Sequence, residues 1–187
     1  MTRKAVTMLM LCLLASGLQG AVAHRGTTLP LLGGKVVLSQ RGAQTVVRWS
    51  AHGVPRTAIL PAEDGIYAGS LSDAEVLGTM GDQVLVLSVS YASRPNGAMH
   101  QCGAGTETMV RVISFSGRPH QTFEQLVESC WLTIDPGNVA WDPSAHTLSV
   151  ERTTYSSEEG HTNRIYQVDG EGAVRLIGDV PADSSSQ

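Results

Sequence analysis

The sequence predicts a mainly β protein whose short strands form an antiparallel sandwich, a barrel or a propeller-like sheet stack. Runs in which apolar and polar residues alternate recur along the chain, and this period of two is typical of half-buried strands. Clusters of Gly, Pro, Asn and Asp separate those runs at short intervals, as antiparallel turns require. Two cysteines within the same region predict one disulfide bond.

The N-terminus has the pattern of a secretory signal peptide. Arg3 and Lys4 precede an apolar run from Ala5 to Leu18, and a small residue suited to signal peptidase follows at Ala23. We therefore expect residues 1–23 to be removed by cleavage. The alternative is an N-terminal membrane anchor, but the run is shorter than the roughly twenty residues that a spanning helix needs. The exported chain should have no membrane span and should be secreted, in bacteria to the periplasm.

Length and charge limit the organisation of the exported chain and its partners. The 187 residues include 13 basic and 17 acidic side chains, and removing Arg3 and Lys4 leaves 11 basic residues and a net charge of −6. Nucleic acid is not an expected partner, because its phosphates require a cationic surface. We expect an irregular lead-in over residues 24–34, a single β-rich domain over residues 35–179 and a flexible Ser-rich tail over residues 180–187.

The first half of the domain shows one especially clear strand. Residues Asp82–Ala92 are apolar on both faces over their first half, which predicts a central strand. The shorter runs before it also have the composition of strands. These predicted strands are Lys35–Gln40, Gln44–Trp49, Arg56–Leu60, Gly65–Ser70 and Glu75–Met80.

The second half continues as hairpins after a Gly-rich loop over residues 93–105. Residues 120–134 fit both helical and strand periods, and we interpret them as a strand because their clear neighbours are strands. Trp141-Asp142-Pro143 and Tyr166 to Gly170 resemble hairpins found in β-propeller blades, a likeness that implies no function. The remaining predicted strands are Thr106–Ser116, Val139–Trp141, His146–Thr154, Asn163–Val168 and Ala173–Gly178.

Cys102 and Cys130 are the two cysteines left after removal of the signal peptide. In an oxidising compartment such an isolated pair is expected to form a disulfide. Closing a loop of about 29 residues would stabilise the fold by roughly 3–4 kcal/mol in the chain-entropy account. The two residues lack the close pairing typical of structural zinc sites, so we expect no metal there.

One alternative function starts from the new N-terminus. Cleavage after Ala23 would leave His24 first, and an α-amino group beside an imidazole can chelate copper, with a second histidine supplied by the sheet. The other interpretation of His24 is a frayed terminus. A copper-binding or enzymatic exported protein using His24 or His100 is therefore one alternative, although no cofactor is expected in the main interpretation.

Two polar loops are candidate binding sites. His100 lies two residues before Cys102, and Glu107 follows closely, so a loop fixed by a disulfide could position both side chains. The second loop, Thr153 to Asn163, is longer than a tight hairpin needs and almost entirely polar; a solvated connection is its simplest interpretation. Its candidate binding residues are Tyr155, Glu158, Glu159 and His161.

These patterns favour a non-catalytic exported domain that acts by protein binding, as an inhibitor or immunity-type protein of the periplasm. The chain has no Gly-X-Ser-X-Gly, no phosphate-binding Gly-rich loop ending in Lys-Ser/Thr and no His-Glu-X-X-His motif. An acidic domain with an acidic loop is expected to bind an envelope or secreted protein at a basic site. A structural envelope component is a further alternative.

Overall fold

The computed structural model describes residues 26–31, 34–42, 44–60, 68–94, 102, 105–155 and 160–181. Within these ranges the protein has twelve strands and no helix, so the predicted mainly β fold is confirmed. None of the described residues lies in a helix that is long and apolar enough to cross a membrane. The predicted signal peptide, His24 and residues 182–187 lie outside the described ranges.

The strands follow one another as antiparallel neighbours in two sheets. The first sheet, the first meander, has the order β1-β2-β3-β4. The second sheet has eight strands in consecutive order, but β8 and β9 pair at only one described position, Ser129 with Ile134. We therefore treat β5–β8 as the second meander and β9–β12 as the third. The strands are β1 Gly26–Leu31, β2 Gly34–Arg41, β3 Gln44–Ala51, β4 Val54–Leu60, β5 Ala68–Met80, β6 Val84–Ser93, β7 Thr106–Ser114, β8 His120–Ser129, β9 Ile134–Asp142, β10 Thr147–Thr154, β11 Gly160–Val168 and β12 Val174–Pro181.

The second meander lies between the other two. Leu85 and Leu87 of β6 pack with residues of the first meander, whereas Val84 and Val86 of the same strand pack with residues of the third. Both faces of β6 are therefore buried, as predicted for a central strand. The three meanders form a propeller-like stack of sheets, one of the three architectures that the sequence predicts.

Neighbouring meanders contact each other through several of their strands. The first strands contact one another in succession, β1 with β5 and β5 with β9, and the fourth strands β4 and β8 are also in contact. The first strands of the three meanders therefore lie next to one another in succession.

The predicted irregular lead-in over residues 24–34 is wrong where the structure describes it, because β1 occupies Gly26–Leu31. Leu29 and Leu31 pack against the first core, and the strand pairs with β2 along its whole length. Pro30, which suggested irregular structure, is tolerated because β1 is an edge strand.

The predicted break between Ser70 and Glu75 is also wrong, because β5 is continuous over Ala68–Met80. Its pairing with β6 shifts register at three places. Each bulge places an extra residue on one strand and changes which residues face the core. The alternation is therefore lost in the sequence although the strand continues.

The third meander begins earlier than predicted. Residues 120–129 form β8, which confirms the strand interpretation, but β9 then starts at Ile134 instead of Val139. Pro136 and Gly137 suggest a turn, yet they lie within β9 at an irregularity in its pairing with β10. A Cβ atom at Gly137 would overlap the carbonyl of Glu151, so the close approach requires glycine. At the other end, β12 reaches Pro181, two residues beyond the predicted domain boundary.

Candidate functional site

An acidic cleft lies where the second meander meets the start of the third. It has a volume of about 450 Å³, and Glu128 of β8 and Asp135 of β9 are among its lining residues. The strand β7 contributes Thr106, and the disulfide contributes Cys130. The cleft is therefore built by three consecutive strands and the turn that joins β8 to β9.

The Glu128 carboxylate is held by two hydroxyl groups of the neighbouring strand. Thr106 Oγ1 donates to Oε1 over 3.1 Å, and Thr108 Oγ1 donates to Oε2 over 2.7 Å. Thr108 and Glu128 are directly paired across β7 and β8, so the ladder itself places these groups together. Each carboxylate oxygen retains a lone pair that can accept a further hydrogen bond.

An exposed aromatic side chain stands beside the cleft. Tyr155 is 66% exposed, and its amide donates to the carbonyl of Thr133. Hydrogen bonding of the phenol to the Asp135 carboxylate, together with the negative charge of that carboxylate, raises the pKa of Tyr155 above its usual value. The phenol is therefore protonated at neutral pH, beside a carboxylate that lines the cleft.

A carboxylate–imidazole pair follows on the same hairpin. His161 Nε2 lies 2.7 Å from Glu151 Oε1, with the two side chains 40% and 32% exposed. In the β10–β11 register Thr153 faces His161, and in the β9–β10 register the same Thr153 faces Asp135. Exposed pairs of this kind contribute little to the free energy of folding. The stability of the fold therefore does not account for the acidic side chains on this surface.

The structure describes two of the predicted loop residues, Tyr155 and His161, on the two sides of the same hairpin turn. The predicted neighbours Glu158 and Glu159 lie outside the described residues. Sequence reasoning missed Glu128, Asp135 and Glu151, which belong to strands. The pairing registers that bring these three to Tyr155 and His161 depend on bulges, which a single sequence does not show. The feature of this site that the sequence did indicate is the hairpin turn between Thr154 and Gly160.

Glu107, the other predicted loop residue, is not at an exposed surface. It is fully buried in β7, where Ser93 Oγ donates to its Oε1 over 2.6 Å. Its Oε2 is buried without a hydrogen-bond partner among the described residues. His100, its predicted companion, lies outside the described ranges. Glu107 is therefore out of reach of a partner protein and belongs to the interior of the stack.

The predicted disulfide is confirmed between Cys102 and Cys130, whose Cα atoms are 5.4 Å apart. It ties the loop before β7 to the end of β8. Gly105 lies against it, and a Cβ atom there would overlap the side chain of Cys130. The amide of Cys130 also donates to the carbonyl of Thr106. The disulfide therefore fixes one wall of the cleft.

Among the described residues no group of three or more His, Cys, Asp or Glu side chains could hold a metal ion. His24, the predicted alternative copper ligand, lies outside those residues. The protein is thus an all-β stack of three meanders with an acidic cleft between the second and the third. No protein-family model matches the chain, and a search of curated proteins finds no significant match. A function is therefore derived from the chemistry of the site.

Proposed function

We propose that the protein is an exported, non-catalytic domain that binds another envelope or secreted protein through the acidic cleft. A lysine or arginine of the partner enters the cleft and pairs with Glu128, while Tyr155 packs against the surrounding surface of the partner. An inhibitor or immunity-type role in the periplasm is the form of binding that this chemistry suits best. The acidic cleft beside an exposed tyrosine is the observation that carries the proposal.

The position of Glu128 suits the recognition of a cation. Its two oxygens are already oriented by Thr106 and Thr108, so little side-chain freedom is lost when a charged donor arrives. A cationic side chain in the cleft would meet a fixed carboxylate with free acceptor positions. Such charge-assisted hydrogen bonds are shorter and stronger than neutral ones.

Tyr155 suits the role of an aromatic anchor. Tyrosine is enriched among the residues that dominate binding energies at protein interfaces. Here its side chain is 66% exposed, and its backbone is held by the hydrogen bond from its amide to the carbonyl of Thr133. An anchor that is ordered before binding loses less entropy on association.

The overall charge supports association with a basic surface. The exported chain carries 17 acidic and 11 basic residues, so its field attracts a cationic partner and raises the association rate. Exposed charges are screened beyond roughly 8 Å at physiological ionic strength. Binding should therefore weaken as salt is added.

The test is affinity capture from an envelope extract, followed by titration of the captured protein with variants. Glu128→Gln should weaken its binding at least ten-fold, because the amide cannot pair with a cation. Tyr155→Ala should weaken it about thirty-fold, which corresponds to roughly 2 kcal/mol, the range of an interface hot spot. Glu75→Gln makes the same charge change at an exposed position of β5 and is the matched control.

The control variant should bind like the wild type, and all three variants should keep the wild-type unfolding midpoint within a few degrees. Unchanged affinity of both Glu128→Gln and Tyr155→Ala would refute the cleft as the binding site. Equal losses in Glu75→Gln would show that only the total charge matters.

A further inference from the structure

The two ends of the stack carry opposite charge. Residues 24–62 contain no Asp or Glu, and the first meander includes four cationic residues. The third meander, by contrast, has more carboxylates than cations. Because each meander is buried on the side that faces the second one, the end surfaces are the outward faces of the first and third meanders.

The outward face of the first meander, here called the cationic face, follows from strand alternation. Val36 and Leu38 point into the core, so Val37 between them points outward, and it is paired with the exposed Arg48. On the neighbouring strand β4, Ile59 is 56% exposed, whereas its partner Val46 in β3 is buried at 4% exposure. The cationic face therefore consists of Lys35, Val37, Arg41, Arg48 and Ile59.

The three cations of this face form no ion pair with another described residue. They surround an apolar centre of Val37 and Ile59. A partner that covers the centre must also supply carboxylates, because burying the three cations unpaired would cost more than the apolar contact gains.

The outward face of the third meander, here called the acidic face, has the complementary pattern. Leu148 and Val150 point into the second core, so Ser149 and Glu151 point outward. Ala140 and Ile165 are both paired with Ser149 and form a small apolar centre. The acidic face consists of Ala140, Asp142, Glu151, His161, Ile165 and one cation, Arg175, and it leaves out Asp135, which lines the cleft.

The stacking geometry shows how the two faces can meet. Within the chain, the first strand of each meander contacts the first strand of the next. β-Propellers close such a succession into a ring of about four to eight four-stranded blades. Three blades are too few for this range, whereas two chains of three meanders supply six.

From this complementarity we infer that the occupant of both end faces is a second copy of the chain. The cationic face of one copy packs on the acidic face of the other, and the reverse pairing closes a ring of six meanders. A head-to-tail contact of this kind closes only if the rotation per copy fits, and otherwise produces open filaments. The inference goes beyond the proposed function, because the cleft residue Glu128 and the anchor Tyr155 are not part of either face.

The test is sedimentation of the purified exported protein at about 100 µM, well above micromolar dissociation constants. The wild type should have the mass of two chains. Arg48→Glu and Glu151→Arg should each have the mass of one chain. In a pair of two identical variant chains, charges of the same sign would face each other at both contacts. An equimolar mixture of the two variants should return to two chains, because one contact is charge-swapped and the other is wild type.

The controls make the same charge changes at exposed turns outside both faces. Arg118→Glu and Glu171→Arg should stay paired, and all variants should retain the wild-type circular dichroism spectrum. A one-chain mass for the wild type, failure of the mixture to restore pairing, or equal loss in the controls would each overturn the inference. A mass that grows beyond two chains would overturn the closed ring. None of these results changes the expected effect of Glu128→Gln on a captured partner, so the two proposals fail separately.

Discussion

The first and third meanders occupy equivalent places on opposite sides of the second, yet they hold to it differently. Between the first and second meanders, a buried hydrogen bond of 2.7 Å joins Thr45 Oγ1 to the Tyr91 hydroxyl, and Arg56 pairs with Asp82. Between the second and third meanders, the Tyr166 hydroxyl donates to Gln125 Oε1 over 3.1 Å, and an aromatic ring also packs directly on a glycine. The Trp141 ring lies on Gly78, where there is no side chain to displace it.

Their outward faces differ even more, since one is cationic and the other acidic. The inner faces of both meanders share the same apolar composition, as folding into a common stack requires. The comparison teaches that the fold depends on what the two meanders have in common, whereas the self-association that we propose depends on where they differ. The following predictions separate these two contributions.

The largest expected effect on folding lies at the third meander. Gly78→Ala places a methyl group against the Trp141 ring and should lower the free energy of unfolding by about 1–3 kcal/mol, the usual cost of overpacking. Chemical denaturation measures this change. Combining it with Trp141→Leu should recover part of the loss, because neighbouring substitutions are not additive.

The matched control for this prediction is Gly170→Ala, where an added methyl group meets open space. It should change the free energy of unfolding by less than about 0.5 kcal/mol. Equal effects at Gly78 and Gly170 would show that the contact between Trp141 and Gly78 does not stabilise the packing of the third meander on the second.

A smaller effect is expected at the first meander. Tyr91→Phe removes one partner of the buried bond and leaves the Thr45 hydroxyl unpaired, which should cost about 1–2 kcal/mol in the free energy of unfolding. The double variant Tyr91→Phe with Thr45→Val should lose less than the sum of the two single losses. Strict additivity in this double-mutant cycle would mean that the bond does not join the two meanders.

Much of this fold can be predicted from the sequence, because period-two alternation is a local property. It identifies β2, β3 and the doubly buried β6, and the cysteine count predicts the disulfide. The alternation fails where bulges interrupt it, as in β5 and around Gly137. It also fails at β1. Pro30 and the flanking glycines are typical of a loop, but an edge strand such as β1 tolerates them.

The site was harder to predict than the fold. Glu128 and Asp135 meet only because β8 ends and β9 begins beside them, a long-range arrangement without a local signal. The burial of Glu107 depends equally on packing between meanders. One relevant signal was readable, namely the absence of acidic residues from 24–62, but its meaning depends on knowing that this segment forms one end of the stack.

The central claim is that the charge difference between the two outward faces is used for binding. Sedimentation of the wild-type protein at increasing salt tests it most directly. Raising the salt from about 0.1 M to about 1 M shortens the screening length from about 10 Å to about 3 Å. The account predicts a two-chain mass at low salt that falls towards one chain at high salt. A one-chain mass throughout, or a two-chain mass that salt leaves unchanged, would contradict it.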